Sequence, residues 1–309
     1  MLKPSPTPSP RLPLTLLACL LGLWPWSVRA SSLELSGELR PGMAVLLKVR
    51  DLPPGARIQG SLDKEPFPLT PQGVALIALD MEKQPAKVTL EVVVTPPKGT
   101  PETLTQVLTV PKRAYKEEHI DLPKKKVDLD QPDLSRAERE TAAISATYRL
   151  REGRVGFEKG FRQPASGRFS GVFGSRRILN GQPRKPHNGV DIAAPKGTPV
   201  TTIAPGTVVL AGHDYFFTGN TLVIHHGHGV ISLYAHLDRM EVTQGQWVEA
   251  GTPIGAIGMT GRATGPHLHW GVLVRGARVD PMALPGIRAA HDGFPTGARA
   301  NPTALPGRD

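Results

Sequence analysis

Two histidines one residue apart, His267 and His269, stand in the run Gly265-Pro266-His267-Leu268-His269-Trp270. In an extended chain successive side chains point to opposite faces, so both imidazoles project from one face while Leu268 and Trp270 point to the other. One face suits chemistry and the other suits packing. Upstream, His187 and Asp191 in His187-Asn188-Gly189-Val190-Asp191 are four residues apart and share a face if the segment is a strand. A catalytic zinc site takes three protein ligands from His, Asp, Glu and Cys and leaves one position open to water. His187, Asp191 and one of the paired histidines meet that requirement. The other paired histidine, and His236 in Ser232-Leu233-Tyr234-Ala235-His236-Leu237, are then free for proton transfer.

The patterns His-x-x-x-Asp, Tyr-x-His-Leu and His-x-His follow one another in that order. Glycine-rich stretches accompany them, Phe173-Gly174-Ser175-Arg176-Arg177 and Gly258-Met259-Thr260-Gly261. On these residues the segment from Phe169 to about Pro281 resembles the catalytic domain of the lysostaphin-like (LytM-type) zinc metallopeptidases, which cut peptides of bacterial peptidoglycan. The resemblance implies Zn2+ as cofactor, with His187, Asp191 and His269 as its ligands. It assigns His236 and His267 to the catalytic machinery without dividing proton transfer and oxyanion stabilisation between them, and it sets Tyr234 and Asn220 along a substrate groove. The function it implies is a zinc metalloendopeptidase acting on peptidoglycan peptides. The alternative is a LytM-like wall-binding module that activates another hydrolase. Chains of that kind lack ligand or catalytic positions, and this one lacks none. A regulatory protein partner is compatible with either reading.

A second histidine cluster, His225-His226-Gly227-His228, has no acidic neighbour to complete a metal site. His226 and Gly227 fit a structural turn that recurs in the family.

The elements that must hold these residues follow from the rest of the chain. Its 309 residues exceed one average domain. Gly 33 and Pro 32 with 5% aromatics point to short strands and many turns rather than a helical bundle. The net charge of +10 suits an anionic partner. No nucleic-acid motif accompanies it, so for an exported chain a cell wall or membrane surface fits better. Residues 1–30 read as a secretory signal: Lys3 and Arg11, an apolar run from Leu12 to about Trp26, then Val28-Arg29-Ala30 at the cleavage site. The run is short of the about 20 residues that a membrane span needs, so no integral span is expected after its removal. The single cysteine, Cys19, lies inside this run. Leu16-Leu17-Ala18-Cys19 resembles a lipoprotein box, but most of the apolar residues follow it rather than precede it. If Cys19 leaves with the signal, disulfides and thiolate ligands are excluded and the metal falls to His and Asp. The expected location is the periplasm or cell envelope, or the medium.

The fold class expected is mostly β. Residues 31–111 show period-two alternation, clearest at Val88, Leu90, Val92 and Val94, and read as an accessory β-sandwich. Residues 112–163 read as a charged linker with one short helix, opened by a capping box at Ser135-x-x-Glu138 and running to about Leu150 as a spacer. Residues 164–285 carry short strands broken by Gly and Pro and read as an antiparallel β domain, to which the resemblance adds a groove with the metal on its floor. Residues 286–309 read as a disordered tail.

Overall fold

The computed structural model describes residues 30–120, 131–179, 181–183 and 185–289. The expected signal segment with Cys19, and residues 290–309 of the expected tail, lie outside the described residues. The described chain is mostly β, with antiparallel sheets and one α-helix, as the residue pattern predicts.

The N-terminal part comprises β1 (Ser32–Leu35), β2 (Met43–Arg50), β3 (Arg57–Leu62), β4 (Glu65–Phe67), β5 (Val74–Leu79), β6 (Lys87–Thr95) and β7 (Glu102–Thr109). They form two sheets, ordered β1-β2-β5 and β4-β3-β6-β7. Val45, Leu47 and Val49 of β2 and Ile77 and Leu79 of β5 share one core with Val88, Leu90, Val92 and Val94 of β6. Alternation along β6 buries one of its faces. The text of β2 and β5 differs: Ala44 to Leu47 and Val74 to Leu79 are apolar at every position. Such runs mark a sheet covered on both sides. The second face, with Ala44, Leu46, Leu76 and Ala78, packs into the core of the C-terminal region.

The chain continues through β8 (Glu117–Ile120) and α1 (Gln131–Thr147). Next come β9 (Arg168–Gly171), β10 (Arg176–Leu179), β11 (Gln182–Pro183), β12 (Gly189–Ala193), β13 (Pro199–Thr201), β14 (Gly206–Tyr215) and β15 (Gly219–His225). The last strands are β16 (Val230–Met240), β17 (Trp247–Val248), β18 (Pro253–Ile257), β19 (His267–Val274) and β20 (Ala277–Val279). A large sheet runs β17-β14-β15-β16-β19-β12-β9, with β18 paired to β16 and β13, and β20 to β19. A small separate sheet joins β8, β10 and β11, with β8 parallel to β10. One face of the large sheet carries Ile192, Leu222, Tyr234, Leu268 and Trp270 into the main core. On its other face Leu210, Ile231, Leu233, Ala235 and Leu273 surround Ile144 of α1.

The helix departs from the sequence expectation in two respects. It already includes Gln131, so Ser135 lies inside it rather than at its cap. Pro132 and Asp133 occupy the first described turn, where a fixed φ and an acidic charge are both favourable. Nor is it a free spacer, because Ile144 packs on the sheet and the Glu140 carboxylate accepts from the Phe216 N–H at 2.6 Å. Among the described residues no helix is long and apolar enough to cross a membrane.

Candidate metal centre

Asp191 on β12 and His269 on β19 are direct cross-strand partners, so the pleat sends both side chains to the same face. His187 sits just before β12, held by its N–H donating to Ser175 O at 2.9 Å and its carbonyl accepting from Gly174 N–H at 2.8 Å. Its ring Nδ1 lies 3.0 Å from the carbonyl of Val172. A carbonyl only accepts, so Nδ1 carries a proton, and in the neutral ring Nε2 is then the nitrogen with the lone pair. That Nε2 stands 3.0 Å from His269 Nδ1 and 3.1 Å from Asp191 Oδ1, and the last two atoms are 2.9 Å apart. Among the described residues these three form the group able to hold a metal ion. Ligands bound tetrahedrally to zinc at about 2.0–2.2 Å stand about 3.3–3.6 Å from one another, so the donor types fit zinc and the three atoms need move apart by only a few tenths of an ångström to hold it.

Close packing keeps the carboxylate in place. A methyl group on Gly171, in β9 beside Asp191, would collide with Asp191 Oδ2. Burial pushes the Asp191 carboxyl up, but the imidazoles of His187 and His269 outweigh this and hold it far below the usual carboxylate range. The site therefore carries a fixed negative charge at neutral pH. Burial lowers the pKa of His269, keeping it neutral and able to ligate.

Two further imidazoles stand beside this group. The rings of His236 and His267 are 4.6 Å apart between centroids, and His236 is 6.4 Å from His269. His236 donates from Nδ1 to Thr260 O at 2.8 Å, and His267 from Nδ1 to Gly265 O at 2.8 Å. Both therefore present an Nε2 lone pair when neutral. Burial, then the neighbouring histidines, pushes His236 down to about 4, against the Thr260 bond that favours its cation. Exposed apolar side chains flank the histidines: Phe169 (42% exposed), Val172 (54%) and Met259 (51%).

Residues 185–281 match the sequence profile of peptidase family M23. A crystal structure of a putative peptidase M23 from Pseudomonas aeruginosa superposes with a TM-score of 0.60 at 30% identity, over 80% of this chain and 95% of that one. The chain belongs to peptidase family M23. Within that family it is 45% identical over 116 residues to the peptidoglycan DD-endopeptidase ShyA of Vibrio cholerae, covering 37% of this chain and 27% of ShyA. It is 41% identical over 117 residues to the DD-carboxypeptidase/endopeptidase Mpg of Neisseria gonorrhoeae, covering 38% of this chain and 27% of Mpg. The chain thus spans about a quarter of the length of these curated relatives. As in the family, the donor set of this member is a zinc set.

The structure brings together five of the seven site residues predicted for this M23 member, and it redirects the other two. Tyr234, expected along the groove, is fully buried, and its hydroxyl accepts from the Ile203 N–H at 3.1 Å. The cause lies two residues on. Strict alternation would put Tyr234 and His236 on one face, but His236 adopts φ 61° at an irregularity of β16. The ring of His236 swings to the metal side while Tyr234 stays in the core opposite Trp270. Asn220 is committed to structure. Its Nδ2 donates to Leu237 O and Asp238 O at 3.1 and 3.2 Å, and its Oδ1 accepts from Asp214 N–H at 3.1 Å.

His225-His226-Gly227-His228 forms a turn without an acidic ligand, and the His226 ring is buried between Pro205 O and the Ser232 hydroxyl. The residues that sequence reading missed are the supporting ones: Val172 through its carbonyl on the ligand His187, Thr260 through its carbonyl on His236, and Gly171 through the side chain it lacks beside Asp191. Carbonyl partners leave no mark in side-chain identity, so only the glycine at position 171 was a visible signal.

Proposed function

We propose that the chain is an exported zinc metalloendopeptidase that hydrolyses peptide bonds in bacterial peptidoglycan. The observation that carries this reading is the pairing of His236 and His267, each with Nδ1 tied to a carbonyl and Nε2 free, beside the His187–Asp191–His269 group. Zinc, when bound, supplies a Lewis acid for the scissile carbonyl and lowers the pKa of water toward about 7. His187 and His269 bind through neutral nitrogens and Asp191 through an anionic oxygen. The low pKa of His236 keeps its Nε2 unprotonated at neutral pH, so the lone pair is open to a hydrogen bond from the attacking water, while a base of that pKa draws the proton itself only weakly. His267, held by Gly265 O, is placed to stabilise the developing oxyanion or to return a proton to the leaving amine.

The substrate class rests on the relatives, which are named for peptidoglycan endopeptidase activity. Export rests on the signal-like residues 1–30, and the remaining divisions proposed are 31–111, 112–163, 164–285 and 286–309. The test is digestion of purified peptidoglycan by the chain from residue 31 onward, with and without a chelator, reading released fragments by mass spectrometry. Chelator-sensitive release of peptide-cleaved fragments is expected. An intact product pattern from zinc-loaded protein would instead favour a wall-binding module that activates another hydrolase.

A further inference from the structure

A strap of residues outside the family-matched segment reaches the support of one metal ligand. Arg113 donates from Nη1 to Pro41 O and Gly42 O at 3.3 and 3.2 Å, and from Nη2 to Asp280 Oδ2 at 2.8 Å. The same guanidinium lies over the rings of Tyr115 and Phe173, at 5.2 and 5.6 Å from their centroids. The Tyr115 hydroxyl donates to Pro41 O at 3.2 Å, and its ring meets Phe173 edge-on at 6.1 Å. Gly174, at φ +79, leaves the space that the Tyr115 ring fills, and a methyl group there would collide with it. Two residues further, Arg176 N–H donates to Lys116 O at 2.8 Å, where β8 begins its pairing with β10.

Tyr115 therefore clamps the turn Val172-Phe173-Gly174. Both ends of that turn hold His187: Val172 O accepts from its Nδ1, and Gly174 N–H donates to its carbonyl. We propose that Tyr115, anchored by Arg113 to the N-terminal sandwich, is a positioning residue for the metal ligand His187, so that zinc affinity depends on a part of the chain that supplies no ligand. The inference rests on the zinc reading given under the proposed function. Partners of ligands in an outer layer typically change metal affinity by about 10–100-fold when lost. One layer further out, about tenfold is expected.

The experiment measures zinc affinity by chelator competition on the full chain and on Tyr115→Ala and Tyr115→Phe, with the melting temperature of each recorded in excess chelator. Cobalt-loaded protein gives a second readout, the ligand-field spectrum around His187. About tenfold weaker zinc binding and a shifted cobalt spectrum are expected for Tyr115→Ala, with both near the parent value in Tyr115→Phe, which keeps the ring. Should Tyr115→Ala fail to fold, Arg113→Met, which releases the anchor, carries the same expectation. Unchanged affinity and spectrum in a folded Tyr115→Ala or Arg113→Met would overturn the inference, even if melting temperature fell. If the parent chain itself bound no zinc, the underlying functional reading would fall first and this one with it.

Discussion

Asp191 and His269 face each other across adjacent antiparallel strands, and their ligating atoms are 2.9 Å apart. The pairing means that backbone register, set by many hydrogen bonds, fixes two of the three metal donors before any ion arrives. The third donor, His187, comes from the segment leading into β12, and Val172 O fixes its ring.

Removing a donor should therefore remove the metal. Asp191→Ala and His269→Ala are expected to lose zinc beyond the about 10–100-fold typical of outer partners, with hydrolysis falling to background. Metal content by atomic emission, alongside peptidoglycan digestion, checks this. Full activity in a zinc-free variant would end the metallopeptidase reading.

His267 is expected to behave differently. Because its fixed nitrogen is Nδ1 and it stands outside the three-donor group, His267→Ala should keep zinc while the rate falls by about 10²–10⁴. The same split is expected for His236→Ala. Loss of zinc from His267→Ala would mean that the roles of the two paired histidines are exchanged.

Gly171 tests how tightly the carboxylate is confined. A methyl group there displaces Asp191 Oδ2, so Gly171→Ala should weaken zinc binding by about 10–100-fold while the protein still folds. Zinc titration against a competing chelator gives the answer, and parent-like affinity would show that the carboxylate can shift without cost.

Stability should fall in acid through His226. Burial holds this ring's pKa down to about 4, against 6.5 for the free side chain. Protonation therefore favours the unfolded chain. The contribution is complete above about pH 6.5 and is lost as pH falls toward 4, reaching on the order of 3 kcal/mol. Denaturant melts at pH 7.5 and 5, in chelator, should show a smaller pH difference for His226→Gln than for the parent. Equal slopes would remove His226 from the acid response.

The sandwich and the large sheet should unfold together. Leu76 and Met81 lie in the same core as Trp270 and Tyr234, and Arg278 pairs with Asp80 at 2.6 Å and Glu82 at 2.5 Å. Leu76→Ala is expected to cost about 2–5 kcal/mol. It should lower one shared transition seen both by tryptophan fluorescence and by zinc release, rather than splitting it in two.

Much of the metal centre was legible because side-chain type and strand spacing carry it: two imidazoles two apart, a histidine and an aspartate four apart. The alternation of Val88, Leu90, Val92 and Val94 reappears as the buried face of β6. Tyr234 was misplaced because one residue in left-handed conformation, His236, breaks the alternation that sequence reasoning extends. The helix start was misread because Ser135 has the chemistry of a cap while Pro132 and Asp133 have that of a first turn. The docked face of the sandwich was announced by unbroken apolar runs in β2 and β5, a signal that alternation elsewhere in the domain obscured.

That docked face also sets an order of events. Gly42 O accepts from the N–H of Asp280, and Arg278 closes on Asp80, so the sandwich is covered only when the last described strand, β20, is in place. As the chain emerges from its N-terminus, Ala44, Leu46, Leu76 and Ala78 stay bare while some two hundred residues follow. Contacts of such sequence separation form slowly, and the uncovered intermediate is the species most prone to aggregate. Yield of folded protein should then depend on whatever shields that face during synthesis and transit.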